Sequence, residues 1–304
     1  MVQEPMVRPV VVGVDGSAAA LRACEYAGEV AAELGCGLRL IHAFRPLVEA
    51  TADESFGAAA MKNDGYRILR EAAQYLRRHT DAPIGVVLSE GRPSGVLAEA
   101  SHGASVVVVG RRALPDDDEP QPSSLVMGLV PAAACPVVVV PPDGSPPETT
   151  AIVVGIAESQ HSHEALRFAF AEAARHKTGV TLVRAWPIHG PEGHGPWFLR
   201  DQEANEILDE AVADLVTAYP DVPVERVVES GWPVDALLRH ATDAALLVVG
   251  NAAHDDPDAV GGVTRQLVAR SQVPVAVVRH HAHHEQATAA KSAVGGRSAA
   301  AGGS

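Results

Sequence analysis

The segment PVVVGVDGSAAALRACEYAGEVAAELGCGLRLIHAF, Pro9 to Phe44, returns as TAIVVGIAESQHSHEALRFAFAEAARHKTGVTLVRAW, Thr150 to Trp186, and this repeat constrains the chain more than any other feature. Gly13 aligns with Gly155 at an offset of 142 residues. SEGRPSGVLAEASHGASVVVVG, ending at Gly110, matches ESGWPVDALLRHATDAALLVVG, ending at Gly250, so Gly91 pairs with Gly231 and Pro93 with Pro233 at an offset of 140. CPVVVV, Cys135 to Val140, matches VPVAVV, Val273 to Val278, at an offset of 138. Small loop deletions account for the drift. A repeat of this length means two like folding units in tandem, and 304 residues is about two domains at the usual ~150 residues each.

Within the first copy, strands are expected at Val10–Val14, Leu38–Ala43, Ile84–Leu88, Val106–Val109 and Val137–Val140. These runs are continuously apolar, as parallel strands covered on both faces should be. Between them, Leu21, Cys24, Ala27, Val30 and Leu34 recur at helical spacing, as do Ile68, Leu69, Ala72, Ala73 and Leu76. Strand–helix alternation with right-handed crossovers gives a doubly wound α/β domain around a five-stranded parallel sheet. The expected division is a first domain over 1–142, a linker over 143–150, a second domain over 151–280 and a disordered tail over 281–304. The linker expectation rests on PPDGSPPETT, whose four prolines and glycine exclude a helix or a central strand. The tail expectation rests on the scarcity of large apolar residues after residue 281; its HAHH cluster reads as solvated.

Composition narrows the partners. A net charge of −14 disfavours nucleic acid and anionic lipid surfaces. No apolar run approaches the ~20 residues of a membrane span, and MVQEPMVRPV lacks the features of a signal peptide, so a cytoplasmic location is expected. Cys24, Cys36 and Cys135 fall singly in apolar periodic segments, which points to core filling rather than disulfides or metal.

In an open parallel sheet, ligands bind beyond the carboxyl ends of the strands where the strand order reverses. Two loops therefore matter, those after the first and fourth strands. After the first strand comes Val14-Asp15-Gly16-Ser17. Asp15 offers an acceptor for a ribose hydroxyl or an adenine amine, or together with Ser17 it simply caps the next helix. The second copy reads Ile156-Ala157-Glu158-Ser159, and the Ala157 side chain can accept nothing. After the fourth strand, Gly110-Arg111-Arg112-Ala113 is followed by nine residues and Ser123-Ser124, then an apolar segment. Small residues let such a loop close on phosphates, and a helix N-terminus with serine hydroxyls supplies donors. The second copy has Gly250-Asn251-Ala252-Ala253, seven residues, then Gly261-Gly262.

These residues resemble the universal stress protein family, specifically its tandem-domain members, over nearly residues 8 to 280. The resemblance implies an adenine nucleotide alpha hydrolase-like fold of strand order 3-2-1-4-5 in each domain. It also implies ATP as the ligand, with or without Mg. The family's nucleotide-binding members carry an Asp after the first strand and G-x2-G-x9-G-[S/T] after the fourth. By that pattern Asp15 matches the adenosine-side Asp, Gly110 the first loop glycine and Ser124 the phosphate-side Ser. Ala113 and Ser123 replace the second and third glycines, adding bulk where phosphates approach. The cofactor-binding set expected in the first domain is Gly13, Asp15, Gly110, Ser123 and Ser124; the weaker set in the second is Gly155, Gly250, Gly261 and Gly262. One site per chain is the expectation, because the second copy has Ala157 for the Asp, Ala253 for the second glycine, Gly262 for the Ser and a shorter loop.

Other features read as background. Asp116, Asp117, Asp118 and Glu119 read as a solvated loop tip, with Arg111 and Arg112 placed to offset the run near a triphosphate, and the second copy's loop has its own acids, Asp255, Asp256 and Asp258. Gly128 and Pro131 interrupt the apolar segment after Ser124, so the helix there should be short or bent. His161, His163, His189 and His194 lack metal-ligand spacing and read as surface residues. Trp186, Trp197 and Trp232 read as fillers between elements. No GxSxG, HExxH or Walker motif occurs, so no enzyme is expected. The functions left are an ATP-binding stress-response regulator without dedicated catalysis, a nucleotide-independent interaction protein with degenerate sites, and an ATP-consuming enzyme lacking an identified base. The partners expected are an adenine nucleotide and a further protein, with no nucleic acid and no membrane. The two domains are expected to pack as an intramolecular pseudo-dimer, and homodimerisation is compatible with it.

Overall fold

The structure is a computed structural model that describes residues 8–45, 54–112, 122–142, 151–157, 159–186, 197–251 and 259–279. The expected linker over 143–150 and tail over 281–304 lie outside the described residues.

The chain alternates strand and helix. In the first half the order is β1 (Val10–Gly13), α1 (Ala18–Leu34), β2 (Leu38–Phe44), α2 (Glu54–Leu76), β3 (Ile84–Glu90), α3 (Pro93–Ser101), β4 (Val106–Gly110), α4 (Ser124–Leu129) and β5 (Val137–Val140). The second half repeats it as β6 (Ile152–Gly155), α5 (Ser159–His176), β7 (Val180–Trp186), α6 (Trp197–Ala218), β8 (Val224–Ser230), α7 (Pro233–His240), β9 (Leu246–Gly250), α8 (Gly262–Arg270) and β10 (Val275–Val278). Each half has the strand order 3-2-1-4-5, and the two sheets fuse into one: β3-β2-β1-β4-β5-β10-β9-β6-β7-β8. Every pairing is parallel except the central one, where β5 meets β10 antiparallel, with Val137 opposite Val277 and Val139 opposite Val275. The duplication thus closes on itself with approximate two-fold symmetry.

Alternation along the strands sends side chains to two cores. Val10, Val12, Ile152 and Val154 pack with α1, α2, α5 and α6, including Cys24, Leu69, Leu166 and Leu208. Val11, Val107, Val153 and Leu247 face the other way, toward α3, α4, α7 and α8, with Leu97, Leu129, Leu237 and Leu267. The positions picked out by helical spacing are where expected, with Cys24, Ala27, Val30, Ile68, Leu69, Ala72, Ala73 and Leu76 all buried. Cys24 and Cys36 are buried, and Cys135 is half-buried beside the second core. Burial pushes the Cys24 and Cys135 thiols up to about 12, which leaves them unreactive and suits core filling.

Full coverage of the strands fails at β3. Val86 and Val87 are 48% and 38% exposed because β3 is the outermost strand of the fused sheet, with a neighbour on one side only. The filler role fails for Trp232, which is 71% exposed at the N-cap of α7. The side chains of Trp186 and Trp197 lie outside the described residues.

Candidate functional site

β1 and β4 lie side by side, with Val10 opposite Val106 and Val12 opposite Val108, so their carboxyl ends release two loops next to each other. Gly13 and Gly110 stand at those ends. A Cβ on Gly110 would lie 2.2 Å from the Ala19 carbonyl oxygen and 3.0 Å from the Ala20 nitrogen. Glycine is therefore required where the β4 end crosses the first turn of α1. Gly13 is less constrained, since its Cβ would meet side chains alone, the tip of Leu97 at 2.9 Å and Val109 Cγ1 at 3.4 Å.

Beyond β1 the chain turns through Gly16, at φ +83°, into α1. Ser17 is the N-cap, its Oγ accepting from the Ala20 amide at 3.2 Å. Asp15 Oδ1 accepts from the Ser17 amide at 2.9 Å, and Arg112 Nη2 lies 3.2 Å from Asp15 Oδ2. Partial burial works against the Asp15 carboxylate, but the Ser17 hydrogen bonds and the Arg112 charge outweigh it, leaving its pKa below the ordinary value. An ion pair thus joins the two loops. The Arg112 and Asp15 side chains are 73% and 47% exposed, so the pair is worth about 0–1 kcal/mol and a competing donor can displace it.

Arg111, expected beside Arg112 near phosphates, points elsewhere. Its guanidinium donates to the carbonyls of Val268 and Ala269 in the last turn of α8. The reason is electrostatic: a helix C-terminus presents carbonyls and negative partial charge, and α8 ends at the seam between the halves. The acidic run Asp116 to Glu119 and Ala113 lie outside the described residues.

At the far end of the same loop, Ser123 is the N-cap of α4 and accepts from the Val126 amide at 3.4 Å, while Ser124 is exposed as the first helical residue. α4 spans six residues, as the interruption at Gly128 and Pro131 led one to expect.

The second half differs in how its loops are closed. Ala157, in the place of Asp15, uses only its backbone: its N–H donates to Ser162 Oγ at 3.2 Å, and its carbonyl accepts from Arg184. Asn251 folds the β9–α8 loop on itself, its Nδ2 donating to Ala259 O at 3.0 Å and its Oδ1 accepting from the Gly261 amide at 3.2 Å. Thr264 donates to the Gly250 carbonyl at 3.2 Å. A cavity of about 450 Å³ opens at the ends of β6 and β9, bounded by Gly155, Ala157, Arg184, Leu237, Gly250 and Thr264. Gly262 stands in this cavity wall, while the Gly261 amide is spent on Asn251.

Three residues tie these loops down that sequence reasoning passed over. His42, near the end of β2, makes a 2.7 Å contact from Nδ1 to the Val14 carbonyl, and Arg184 is its counterpart in the repeat. Asn251 is the third. Their signal was a polar residue at the end of an apolar run, at matching positions of the two copies. His163 sits on the surface, 3.9 Å from Glu164, as expected; the side chain of His161, and His189 and His194 altogether, lie outside the described residues. No group of three or more His, Cys, Asp or Glu suited to a metal occurs among the described residues. No helix among them is long and apolar enough to cross a membrane.

Comparison with known proteins agrees with this architecture. The profile of the universal stress protein family matches twice, over residues 6–141 and 148–279. Universal stress protein Rv2005c of Mycobacterium tuberculosis is 30% identical over 285 residues, covering 89% of this chain and 96% of that protein. Universal stress protein Rv1996 of the same organism is 28% identical over 300 residues, covering 89% and 94%. Among solved structures, a universal stress protein from Archaeoglobus fulgidus covers 90% of this chain and 98% of its own, with a TM-score of 0.71 at 16% identity. The chain belongs to the universal stress protein family.

Proposed function

We propose that this protein is a nucleotide-responsive stress regulator that binds one ATP, in its first half, and works through occupancy rather than turnover. The observation that carries the reading is the Asp15 carboxylate, held ionised at the tip of β1 and bridged to the adjoining loop by an exposed, displaceable Arg112. In this reading Asp15 accepts hydrogen bonds from the adenosine moiety, and Arg112, once released, becomes available to phosphate. Gly110 keeps the loop against α1, and the Ser123 and Ser124 hydroxyls lie at the loop's far end. Occupancy would exchange the Asp15–Arg112 link for two links to ligand, so the loop between β4 and α4 is where binding becomes a change of surface. The second half lacks the carboxylate and has its loop closed by Asn251, so no second ATP is assigned to it. A cytoplasmic location and units bounded at 142 and 151 go with this reading.

The test is mass spectrometry of small molecules released from natively purified protein, followed by titration of the stripped protein with ATP. Stoichiometric adenine nucleotide or saturable binding is expected. Its absence in both experiments would leave the second reading, a nucleotide-independent interaction protein, which the internally satisfied loops of the second half favour.

A further inference from the structure

The two outer edges of the fused sheet are not alike. β8 carries charge on its exposed positions: Glu225 and Arg226 interrupt its apolar residues, and Arg226 pairs with Asp209 at 2.8 Å. Charges of this kind keep an edge strand from pairing with another chain. β3 reads IGVVLSE, with Gly85, Val86 and Val87 exposed and no charge before Glu90. Seven residues is long for an edge left without a guard.

The backbone of that edge can be assigned. The Pro83 carbonyl accepts from the Leu38 amide at 2.8 Å, and the Gly91 amide donates to the Phe44 carbonyl at 2.9 Å, so odd-numbered residues of β3 bond to β2. The backbone groups of Ile84, Val86, Leu88 and Glu90 therefore point away from the sheet. Among the described residues, no strand pairs with them.

We propose that β3 is a self-association surface, pairing antiparallel with β3 of a second copy about a two-fold axis at Val86. Three observations select this occupant. A two-fold axis at Val86 matches outward-facing residues with outward-facing residues, as an antiparallel ladder requires: Val86 faces its own copy and Ile84 faces Leu88. The flanking charges are complementary under the same operation. Asp81 precedes β3 and Arg92 follows it, both exposed, so each Arg92 comes within about one residue of the other copy's Asp81. The chain already joins its halves in this way, through antiparallel pairing of the equivalent Val-rich strands β5 and β10. The pairing supplies up to about six backbone hydrogen bonds and covers the two exposed valines. It is smaller than an obligate interface, so the dimer is concentration-dependent.

Sedimentation velocity of the full chain over a dilution series tests this. The wild-type protein should show a monomer–dimer equilibrium, and Val86→Lys should shift the midpoint at least tenfold toward monomer without altering the circular dichroism. Ser230→Lys, at an exposed position of the opposite edge strand, controls for added charge and should leave the midpoint unchanged. Arg92→Asp should weaken the dimer, and Arg92→Asp with Asp81→Arg should restore it. A wild-type protein that stays monomeric across the series, or a dimer indifferent to Val86→Lys, overturns the proposal.

Discussion

Gly110→Ala is the substitution whose consequence follows most directly from the packing. The added methyl would lie 2.2 Å from the Ala19 carbonyl oxygen and 2.4 Å from its carbon, roughly 1 Å inside ordinary contact. Both atoms are backbone in the first turn of α1, so no rotamer change relieves them. Either α1 retreats from β4 or the β4 end bends, and overpacking of this sort costs about 1–3 kcal/mol. Rigid backbone on both sides puts the expected value at the upper end, about 2–3 kcal/mol. In urea unfolding, with a slope of about 2–3 kcal/mol per molar, the midpoint should fall by roughly 1 M. Gly13→Ala is the internal comparison: its methyl meets the Leu97 tip, which can rotate, and Val109 Cγ1 at the ordinary distance of 3.4 Å, so the cost should be about 1 kcal/mol or less. Gly103→Ala meets nothing within 4 Å and should be neutral within about 0.5 kcal/mol. If Gly110→Ala unfolds within about 0.5 kcal/mol of the wild type, the close approach of β4 to α1 is wrong, and with it the placement of the two loops side by side.

Three further outcomes follow from other contacts. Lys177 holds φ +53° at the end of α5, where the first half has Gly35 at φ +61°, so Lys177→Gly should raise stability by about 0.5–1 kcal/mol in the same urea assay. Asp15, with its pKa lowered from 3.8, contributes stability above that value and loses it as pH falls through the folded-state pKa; Asp15→Asn should be less stable than wild type at neutral pH, with the gap closing below about pH 4 in thermal melts. Arg175 bridges Glu33 of α1 and Glu172 of α5, with His176 3.6 Å from Glu33. Burial raises the Glu172 pKa, so Arg175→Met should cost about 3 kcal/mol at neutral pH and progressively less as acidification protonates Glu172.

The fold was largely readable from sequence because its determinants are local and doubled. Val10 to Gly13 and Ile152 to Gly155 carry the same apolar run and the same terminal glycine, and each copy checks the other. What periodicity could not show is where a strand sits in the sheet: Ile84 to Leu88 looks as buried as Val106 to Val109, yet one is an edge and the other is central. Nor could it show that β5 and β10 would pair and fuse two sheets, since that depends on two distant segments presenting matching edges. At the site, Asp15, Gly110 and Ser123 stand at strand ends and helix starts, positions fixed by the alternation itself. Long side chains escaped it. Arg111 and Arg112 are neighbours in sequence, yet one reaches the end of α8 and the other Asp15, because each side chain goes to the nearest uncompensated negative charge. Asn251 carried no assigned role in the sequence, and its two hydrogen bonds, to the Ala259 carbonyl and from the Gly261 amide, depend on a long-range fit that spacing does not reveal.

The central claim is that one half of a duplicated chain carries the nucleotide site and that Asp15 anchors it. Isothermal titration with ATP of the wild-type protein, Asp15→Ala and Asn251→Ala tests this directly. The account predicts one ATP per wild-type chain, at least tenfold weaker binding in Asp15→Ala, equivalent to about 1.4 kcal/mol, and wild-type affinity in Asn251→Ala. Two ATP per chain, or an affinity untouched by Asp15→Ala, would contradict it.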